Sequence, residues 1–220
     1  MAFSQEWETV YRDGKQRATW PWSDVISLVK GQKLPTGARV LELGCGAGAN
    51  IPFFLADGYE YVGIDGSDSI IAQLRQRFPQ LTRHLFAGDF TASFPGGPYR
   101  LILDRASVVC NREADIRSCI RKIYDALEPG GLFIGIDWYS TSSDAAHMGV
   151  DAGDGHSRTG FISGPFAGLG VIHFSDKGHI LDLFRGFEIL HLQEKLLTTH
   201  HPAVSTLGGW AFVARKPDTE

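Results

Sequence analysis

Three glycines alternate with other residues directly after a short apolar run, in the stretch VLELGCGAGAN from Val40 to Asn50. They are Gly44, Gly46 and Gly48. Glycines after a strand let the backbone approach a ligand closely, and the helix that follows presents free amides to it. Asp65 lies 19 positions beyond Gly46, at the end of the next apolar run, where a carboxylate can accept hydrogen bonds from ribose hydroxyls. This spacing predicts a site for a nucleoside-containing cofactor.

Two cofactors fit these residues. Ala49 completes the G-x-G-x-x-A pattern that is typical of dinucleotide binding, and this leaves a nicotinamide-dependent oxidoreductase as an alternative. Glu42, two positions before Gly44, argues against it, because a carboxylate there would repel the pyrophosphate of NAD. The same carboxylate can help to order a loop around a cationic cofactor that carries an amino acid.

Strand and helix patterns alternate around these residues. We predict strands at 38–43, 59–65, 83–88, 99–104 and 131–137, and helices at 50–58, 67–78 and 112–127. This alternation implies a parallel sheet covered on both faces, whose ligands bind at the carboxyl ends of the strands. After a helix around 175–186, two alternating runs at 187–197 and 208–216 predict a hairpin.

Later motifs identify the family that the chain resembles. Asp89 and Phe90 follow the third predicted strand, where a carboxylate can bind the adenine amino group while a ring covers the base. Asp104 ends the fourth strand, and LEPGG (127–131) leads into the fifth. Together with the [D/E]-x-G-x-G-x-G pattern at 42–48, these motifs resemble, in order and spacing, those of the class I S-adenosylmethionine-dependent methyltransferases.

The resemblance implies that S-adenosylmethionine is the cofactor and that S-adenosylhomocysteine is its product. It implies that Asp65 holds the ribose hydroxyls and that Asp89 and Phe90 hold adenine. An arginine or tyrosine of the N-terminal arm would bind the methionine carboxylate. The expected cofactor-binding residues are Tyr11, Arg12, Glu42, Gly44, Cys45, Gly46, Gly48, Asp65, Gly66, Ser67, Asp89, Phe90, Asp104, Arg105 and Ala106.

The implied fold is a single α/β domain over residues 1–220. It has a Rossmann-like seven-stranded sheet with helices on both faces and the last strand antiparallel. Residues 1–37 would cap the cofactor. Residues 138–175 would be an insertion that forms a lid over the acceptor, because their glycine-rich part at 149–170 lacks periodicity and long loops of this kind are usually functional or disordered.

The expected reaction is methyl transfer to the oxygen or nitrogen of a small molecule. A hydroxyl acceptor also needs a base, and histidine is the first choice because its ordinary pKa, about 6.5, lies near neutrality. We favour His147, ten residues beyond Asp137, followed by His200 and His201. The other candidates are Asp137, Tyr139, His156 and His173, whereas His84, His179 and His191 are expected to be structural.

Composition narrows the classes of partner. The 220 residues carry a formal charge of −4, and the pI is about 6.0, so nucleic acid and anionic membrane are not expected partners. A nucleic-acid or protein methyltransferase is a further alternative, but DRAS (104–107) stands where a nucleic-acid enzyme would have N-P-P-Y or a Pro-Cys nucleophile. Three cysteines without metal spacing favour a reduced, cytoplasmic chain with no metal site. The expected partner is a small-molecule acceptor, and the expected state is a monomer or homodimer.

Overall fold

The computed structural model describes Glu8 and residues 18–218. Seven strands form the main sheet, in the order β3-β2-β1-β4-β5-β10-β9, and a second sheet has the order β6-β7-β8. The ten strands are β1 Arg39–Leu43, β2 Glu60–Asp65, β3 Leu85–Ala87, β4 Tyr99–Arg105, β5 Leu127–Tyr139, β6 Val150–Asp151, β7 Ser157–Thr159, β8 Ile172–His173, β9 Glu188–Thr199 and β10 Ser205–Arg215.

Five helices, numbered along the described part of the chain, cover the main sheet. They are α1 Ser23–Gly31, α2 Ile51–Ala56, α3 Asp68–Arg77, α4 Glu113–Ala126 and α5 Lys177–Leu183. Successive side chains of a strand point to opposite faces. Accordingly, Val40 of β1 packs in a core with α1, α2 and α3, whereas Leu41 packs in a second core with α4 and α5. The predicted architecture, with helices on both faces, is therefore confirmed.

Pairing at the last two strands also agrees with the prediction. β10 runs antiparallel to β5, and β9 pairs antiparallel with β10, so the sequence hairpin is present and closes one side of the sheet. β5 is longer than the predicted strand at 131–137. It begins at Leu127, which pairs with Tyr99 before a register shift. The antiparallel β10 brings Gly208 and Gly209 to the sheet edge where the parallel strands end.

The segment between β5 and α5 has a small core of its own. It contains a 3₁₀ turn at Asp144–His147 and the sheet β6-β7-β8. Phe161, Phe166 and Phe174 are buried together there. The segment joins the main sheet where the Trp210 indole donates to the carbonyl of Ser175 over 2.8 Å. The region that looked aperiodic in the sequence is thus a small packed unit.

Two helix starts are fixed by their own capping side chains. Ser67 Oγ accepts from the amide of Ile70 at the start of α3, and Asp176 Oδ1 accepts from the amide of His179 at the start of α5. Such caps satisfy amides that have no partner within the helix. Among the described residues, no helix is both long enough and apolar enough to cross a bilayer.

Candidate functional site

A cavity of about 640 Å³ lies along the carboxyl ends of the parallel strands. Its volume falls within the range of about 300–1,000 Å³ that is usual for small-molecule sites. Because the sheet order is β2-β1-β4-β5, residues that follow these strands line the cavity in a row. Neighbouring strands lie about 4.8 Å apart, so the ends of β2 and β5 are separated by about 14 Å. The cavity is therefore long enough to have two chemically different ends.

The glycine loop needs its glycines mainly for close packing. Gly44, Gly46 and Gly48 all have positive φ, at 63°, 49° and 75°, a region that other residues rarely adopt. A Cβ atom on Gly44 would overlap the Ser107 side chain, and one on Gly48 would lie 2.6 Å from Leu74 Cδ2. The loop therefore packs tightly against the residues after β4 and against α3. Gly44 and Gly46 line the cavity, but Gly48 does not.

Asp65, at the end of β2, ties the glycine loop to the next helix. Its Oδ2 accepts from the amide of Gly46 over 2.9 Å, and its Oδ1 accepts from the amide of Ser67 over 3.0 Å. The side chain is buried, and it lines the cavity. This position suits a carboxylate that binds ribose hydroxyls.

Glu42 is buried below the same loop. Its two oxygens accept from Asn50 Nδ2 over 2.7 Å and from the hydroxyl of Tyr61 over 2.6 Å. Asn50 in turn accepts from the amide of Trp22 over 3.2 Å. Burial raises the pKa of Glu42 to about 7, although both hydrogen bonds act to lower it. Glu42 is thus a buried carboxylate that fixes the loop, and it also lines the cavity.

The residues after β3 form one end of the cavity. Asp89 Oδ1 accepts from both the amide and the hydroxyl of Thr91, over 2.8 Å and 2.6 Å. Phe90 lies between them, half-buried, and all three residues line the cavity. A carboxylate beside an aromatic ring is suited to a planar base with an exocyclic amino group. The expectation that this end holds adenine stays a prediction.

Asp104 differs from the expectation in that it points away from the cavity. It is fully buried and accepts from the amides of Ser107 and Val108 and from the indole of Trp138, the last over 2.7 Å. Burial raises its pKa to about 7. Ile102, two residues earlier on β4, packs in the core with α4, and Asp104 shares that face. Asp104 therefore shapes the loop after β4 from behind.

Two residues beside the middle of the cavity have unusual backbone angles. Ala106 and Asp137 have φ of 57° and 53°, in the left-handed region. They follow or end the neighbouring strands β4 and β5, and both line the cavity. Backbone strain of about 1–3 kcal/mol at such positions is commonly retained at functional sites. The two strained residues thus lie side by side on neighbouring strands, near the middle of the cavity.

Charged groups line the other end of the cavity. The Arg105 guanidinium lies 3.8 Å from the centre of the Trp22 ring, and its Nη2 lies 2.5 Å from Asp137 Oδ2. Asp24 lies 4.0 Å from Arg105 and 3.8 Å from Lys195. Two acids and two bases balance one another here. Arg105 Nε, which faces Asp24 Oδ1 at 4.0 Å, is buried and makes no hydrogen bond among the described residues.

Apolar side chains complete this end. They come from the end of β5, from the segment between β5 and α5, and from the hairpin, namely Tyr139, Phe166, Leu169, Leu197 and Leu207. The ring centres of Tyr139 and Phe166 lie 4.6 Å apart. Burial raises the pKa of Tyr139 well above its ordinary value, so the phenol stays protonated. This end therefore offers apolar contacts, one hydroxyl and balanced charges.

Ten of the expected cofactor residues line the cavity, three do not, and two lie outside the described residues. Those that line it are Glu42, Gly44, Cys45, Gly46, Asp65, Gly66, Asp89, Phe90, Arg105 and Ala106. Gly48, Ser67 and Asp104 support the loops from behind, and Tyr11 and Arg12 lie outside the described residues. The sequence reasoning missed Asp24 and Lys195 as lining residues. Each lies in an element that carries no motif, and only the fold brings them together.

The candidate bases are scattered. Asp137 and Tyr139 line the cavity. His147 is exposed on the 3₁₀ turn, and His200 and His201 are exposed at the tip of the β9–β10 hairpin. Among the described residues, no histidine lines the cavity. His156 and His173 instead meet His179 on the other side of the segment between β5 and α5.

Comparison with known proteins agrees with this arrangement. The family model described as a methyltransferase domain matches residues 40–131. The dTDP-3-amino-3,4,6-trideoxy-alpha-D-glucopyranose N,N-dimethyltransferase of Streptomyces venezuelae is 24% identical over 76% of this chain and 77% of its own length. The trans-aconitate 2-methyltransferase of Variovorax paradoxus is 30% identical over 56% of this chain, which spans about half of that relative, 46%.

Solved structures show the same fold. An S-adenosylmethionine-dependent methyltransferase from Methanosarcina mazei has a TM-score of 0.67 at 18% identity, covering 87% of this chain and 98% of its own. The 1,6-didemethyltoxoflavin-N1-methyltransferase of Burkholderia thailandensis, solved with S-adenosylhomocysteine, has a TM-score of 0.65 at 18% identity, covering 97% and 87%. The matches favour S-adenosylmethionine over a nicotinamide dinucleotide as the cofactor. Residues 40–131 therefore match a methyltransferase domain, and the fold around them is the one seen in solved S-adenosylmethionine-dependent methyltransferases.

Proposed function

We propose that this protein transfers a methyl group from S-adenosylmethionine to an oxygen or nitrogen of a small, largely apolar molecule. The observation that carries this proposal is the single cavity with two different ends. One end has the glycine loop, Asp65 and Asp89, which suit the cofactor. The other end has apolar walls and the balanced charges around Arg105 and Asp137, which suit an acceptor.

Bound S-adenosylmethionine supplies a methyl group on a sulfonium, which a lone pair of the acceptor displaces in line. The protein contributes position. Asp65 and Asp89 would hold the ribose and the base at one end. Holding two reactants in line can supply about 7–11 kcal/mol of the barrier reduction, so binding geometry alone is a sufficient source of catalysis.

Proton removal is assigned to Asp137, with His147 as the alternative. Asp137 lines the cavity, and burial raises its pKa although the charge of Arg105 acts to lower it. A carboxylate acts as a base only when ionised, so the rate should rise with pH through this pKa. Asp137→Asn should remove that rising limb and leave S-adenosylhomocysteine affinity unchanged. His147→Ala should do so only if His147, and not Asp137, is the base.

The residues that line the acceptor end indicate which class of molecule it would bind. Because Asp24 and Asp137 are opposed by Arg105 and Lys195, the acceptor end has no excess of either charge. An uncharged molecule with an apolar body and one hydroxyl or amine therefore fits best. Two relatives are named as N,N-dimethyltransferases of amino sugars, which supports nitrogen as one acceptor atom.

Binding of S-adenosylhomocysteine tests the cofactor assignment. By calorimetry, Asp65→Asn should weaken binding by about 1–3 kcal/mol, the usual value of hydrogen bonds to a charged group. Asp68→Ala is the matched control, because Asp68 is exposed three residues away on α3. Unchanged affinity in Asp65→Asn, or tighter binding of NAD than of S-adenosylhomocysteine, would contradict the assignment. Incubation with methyl-labelled cofactor and a metabolite mixture then identifies the acceptor.

We also propose roles for the parts around the site. Residues 138–175 act as the acceptor lid, and Phe166 and Leu169 bring it to the cavity wall. The N-terminal residues 1–37 act as a cap, of which Trp22 and Asp24 already line the cavity. The protein works in the cytoplasm, as a monomer or homodimer, without nucleic acid. Light scattering after size exclusion, and a nucleic-acid binding assay, test these last points.

A further inference from the structure

Three histidines and two acids, Glu113 and Asp154, meet where residues 138–175 approach α4 and α5. The ligand atoms of Glu113, His156 and His179 all lie within 4.8 Å of one another. His173 Nε2 lies 3.0 Å from His179 Nε2. His156 and His173 belong to the lid, whereas Glu113 and His179 lie at the first turns of α4 and α5. None of the four lines the cavity.

The hydrogen bonds of this cluster assign the protons of two histidines. The Ser157 hydroxyl donates its one proton to Asp154 Oδ2 over 2.8 Å, because an ionised carboxylate only accepts. Asp154 acts only as an acceptor, from the amides of Glu113, His156 and Ser157 and from the Ser157 hydroxyl, as an ionised carboxylate does. Ser157 Oγ must then accept from His173 Nδ1 over 2.9 Å. His173 Nε2 is left with a lone pair.

That lone pair points at His179. With its proton on Nδ1, His173 accepts at Nε2 from the Nε2 proton of His179. Its Nδ1 donates to the Ser157 hydroxyl, which in turn donates to Asp154, and such a chain is the outer support that metal-binding histidines commonly have. His173 is therefore oriented as a nitrogen ligand.

The same carboxylate positions two more ligands. Asp154 accepts from the amide of Glu113 through Oδ2 and from the amide of His156 through Oδ1, each over 3.0 Å. Arg117 holds Glu113 Oε1 over 2.7 Å, and Glu113 Oε2 lies 4.0 Å from His179 Nε2. Asp176 caps the amide of His179. Each side chain of the cluster therefore projects from a fixed piece of backbone.

We infer that Glu113, His156, His173 and His179 form a binding site for a divalent first-row transition metal such as Zn²⁺, which fastens the lid to α4 and α5. Imidazole nitrogens with one carboxylate suit Zn²⁺ and its neighbours, whereas Mg²⁺ and Ca²⁺ prefer oxygen ligands. Glu113 is paired with Arg117 Nε over 2.7 Å, and the carboxylate of Asp154 stands behind Ser157 and His173.

Metal binding requires a small local rearrangement. Two nitrogen ligands of a tetrahedral Zn²⁺ lie about 3.3 Å apart, since each Zn–N bond is about 2.0–2.1 Å. The ligand atoms of Glu113, His156 and His179, now up to 4.8 Å apart, must therefore approach one another by at most about 1.5 Å, and His173 Nε2 already lies 3.0 Å from His179 Nε2. The His156 ring now stacks on His179 with centres 3.6 Å apart, and it must turn so that a nitrogen points inward. His179 moves its proton from Nε2 to Nδ1 through solvent, so that both rings stay neutral as ligands.

The test is a Zn²⁺ titration of the full, untagged chain after treatment with a chelator. Calorimetry should show one ion bound per chain, and Co²⁺ should give the visible spectrum of a nitrogen-liganded site. His156→Ala and Glu113→Gln should each weaken binding at least about tenfold. Ser157→Ala should weaken it roughly 10–100-fold by releasing His173. Zn²⁺ should also raise the thermal midpoint of the wild-type protein.

The histidines outside the cluster provide the controls for this titration. The exposed His147 and the His200–His201 pair could bind metal nonspecifically, so His147→Ala and the double alanine variant should bind Zn²⁺ as the wild type does. His156 and Glu113 are only partly buried, and circular dichroism of the metal-free variants will confirm their folding. No saturable binding by the wild type would overturn the inference. So would undiminished binding by folded His156→Ala.

Discussion

Replacing the buried Glu42 by glutamine should stabilise the protein at alkaline pH, although this residue belongs to the cofactor motif. Burial raises its pKa from 4.5 to about 7. The folded state therefore keeps the proton at pH values where the unfolded state has lost it. Stability contributed by this group is complete below about pH 4.5 and falls as pH rises to about 7. Above that pH the loss is constant.

The magnitude follows from the same two pKa values. One pH unit corresponds to about 1.4 kcal/mol, so ionised Glu42 costs the folded state about 3 kcal/mol above pH 7. Glutamine has the shape of the protonated acid and does not titrate. Its carbonyl can accept from Asn50, and its amide can donate to the hydroxyl of Tyr61. We therefore expect equal stabilities near pH 4.5 and a variant that is more stable by about 3 kcal/mol at pH 8.

Urea unfolding at constant ionic strength between pH 5 and pH 8 measures this difference. Asp104, whose pKa is also raised to about 7, titrates in both proteins and largely cancels when they are compared. Glu60→Gln, exposed at the start of β2, controls for the loss of a carboxylate. A difference between Glu42→Gln and wild type that does not grow with pH would refute the burial argument. Lower stability of the variant at pH 8 would do the same.

Three further results are expected. Gly44→Ala should abolish S-adenosylhomocysteine binding, because the added Cβ would overlap the Ser107 side chain. Ser107→Gly in the same chain should restore part of the binding, and no restoration would contradict the steric cause. Trp138→Phe should lower the free energy of unfolding by about 1–3 kcal/mol, and by more above pH 7, because it leaves an oxygen of Asp104 without its indole donor. Urea unfolding at pH 5 and pH 8 measures this difference. Proteolysis within 149–170 should slow when cofactor and acceptor are bound, and equal rates would favour a passive insertion.

Local patterns were sufficient to predict the sheet and the cofactor end of the cavity. The alternation of strands and helices depends on the side-chain period of each element, and neighbouring residues carry that information. The glycine loop and Asp65 are likewise joined by a short connection, and their hydrogen bond spans 19 positions. Motifs of this kind place chemistry at a strand end because the fold of each βα unit is decided locally. The motif predicted that Asp104 faces the cofactor, but Asp104 lies on the same face of β4 as Ile102, which packs in the core.

The acceptor end and the histidine cluster depend on contacts that the order of the sequence does not reveal. Arg105 meets Trp22, far from it in the chain, and His173 meets Ser157 only because β7 pairs with β8. A lone histidine in a loop looks the same whether it faces solvent, as His147 does, or a second histidine. What distinguishes the two is the packing of the lid on α4 and α5. Residues 138–175 therefore contribute Phe166 and Leu169 to the cavity wall and His156 and His173 to the proposed metal site.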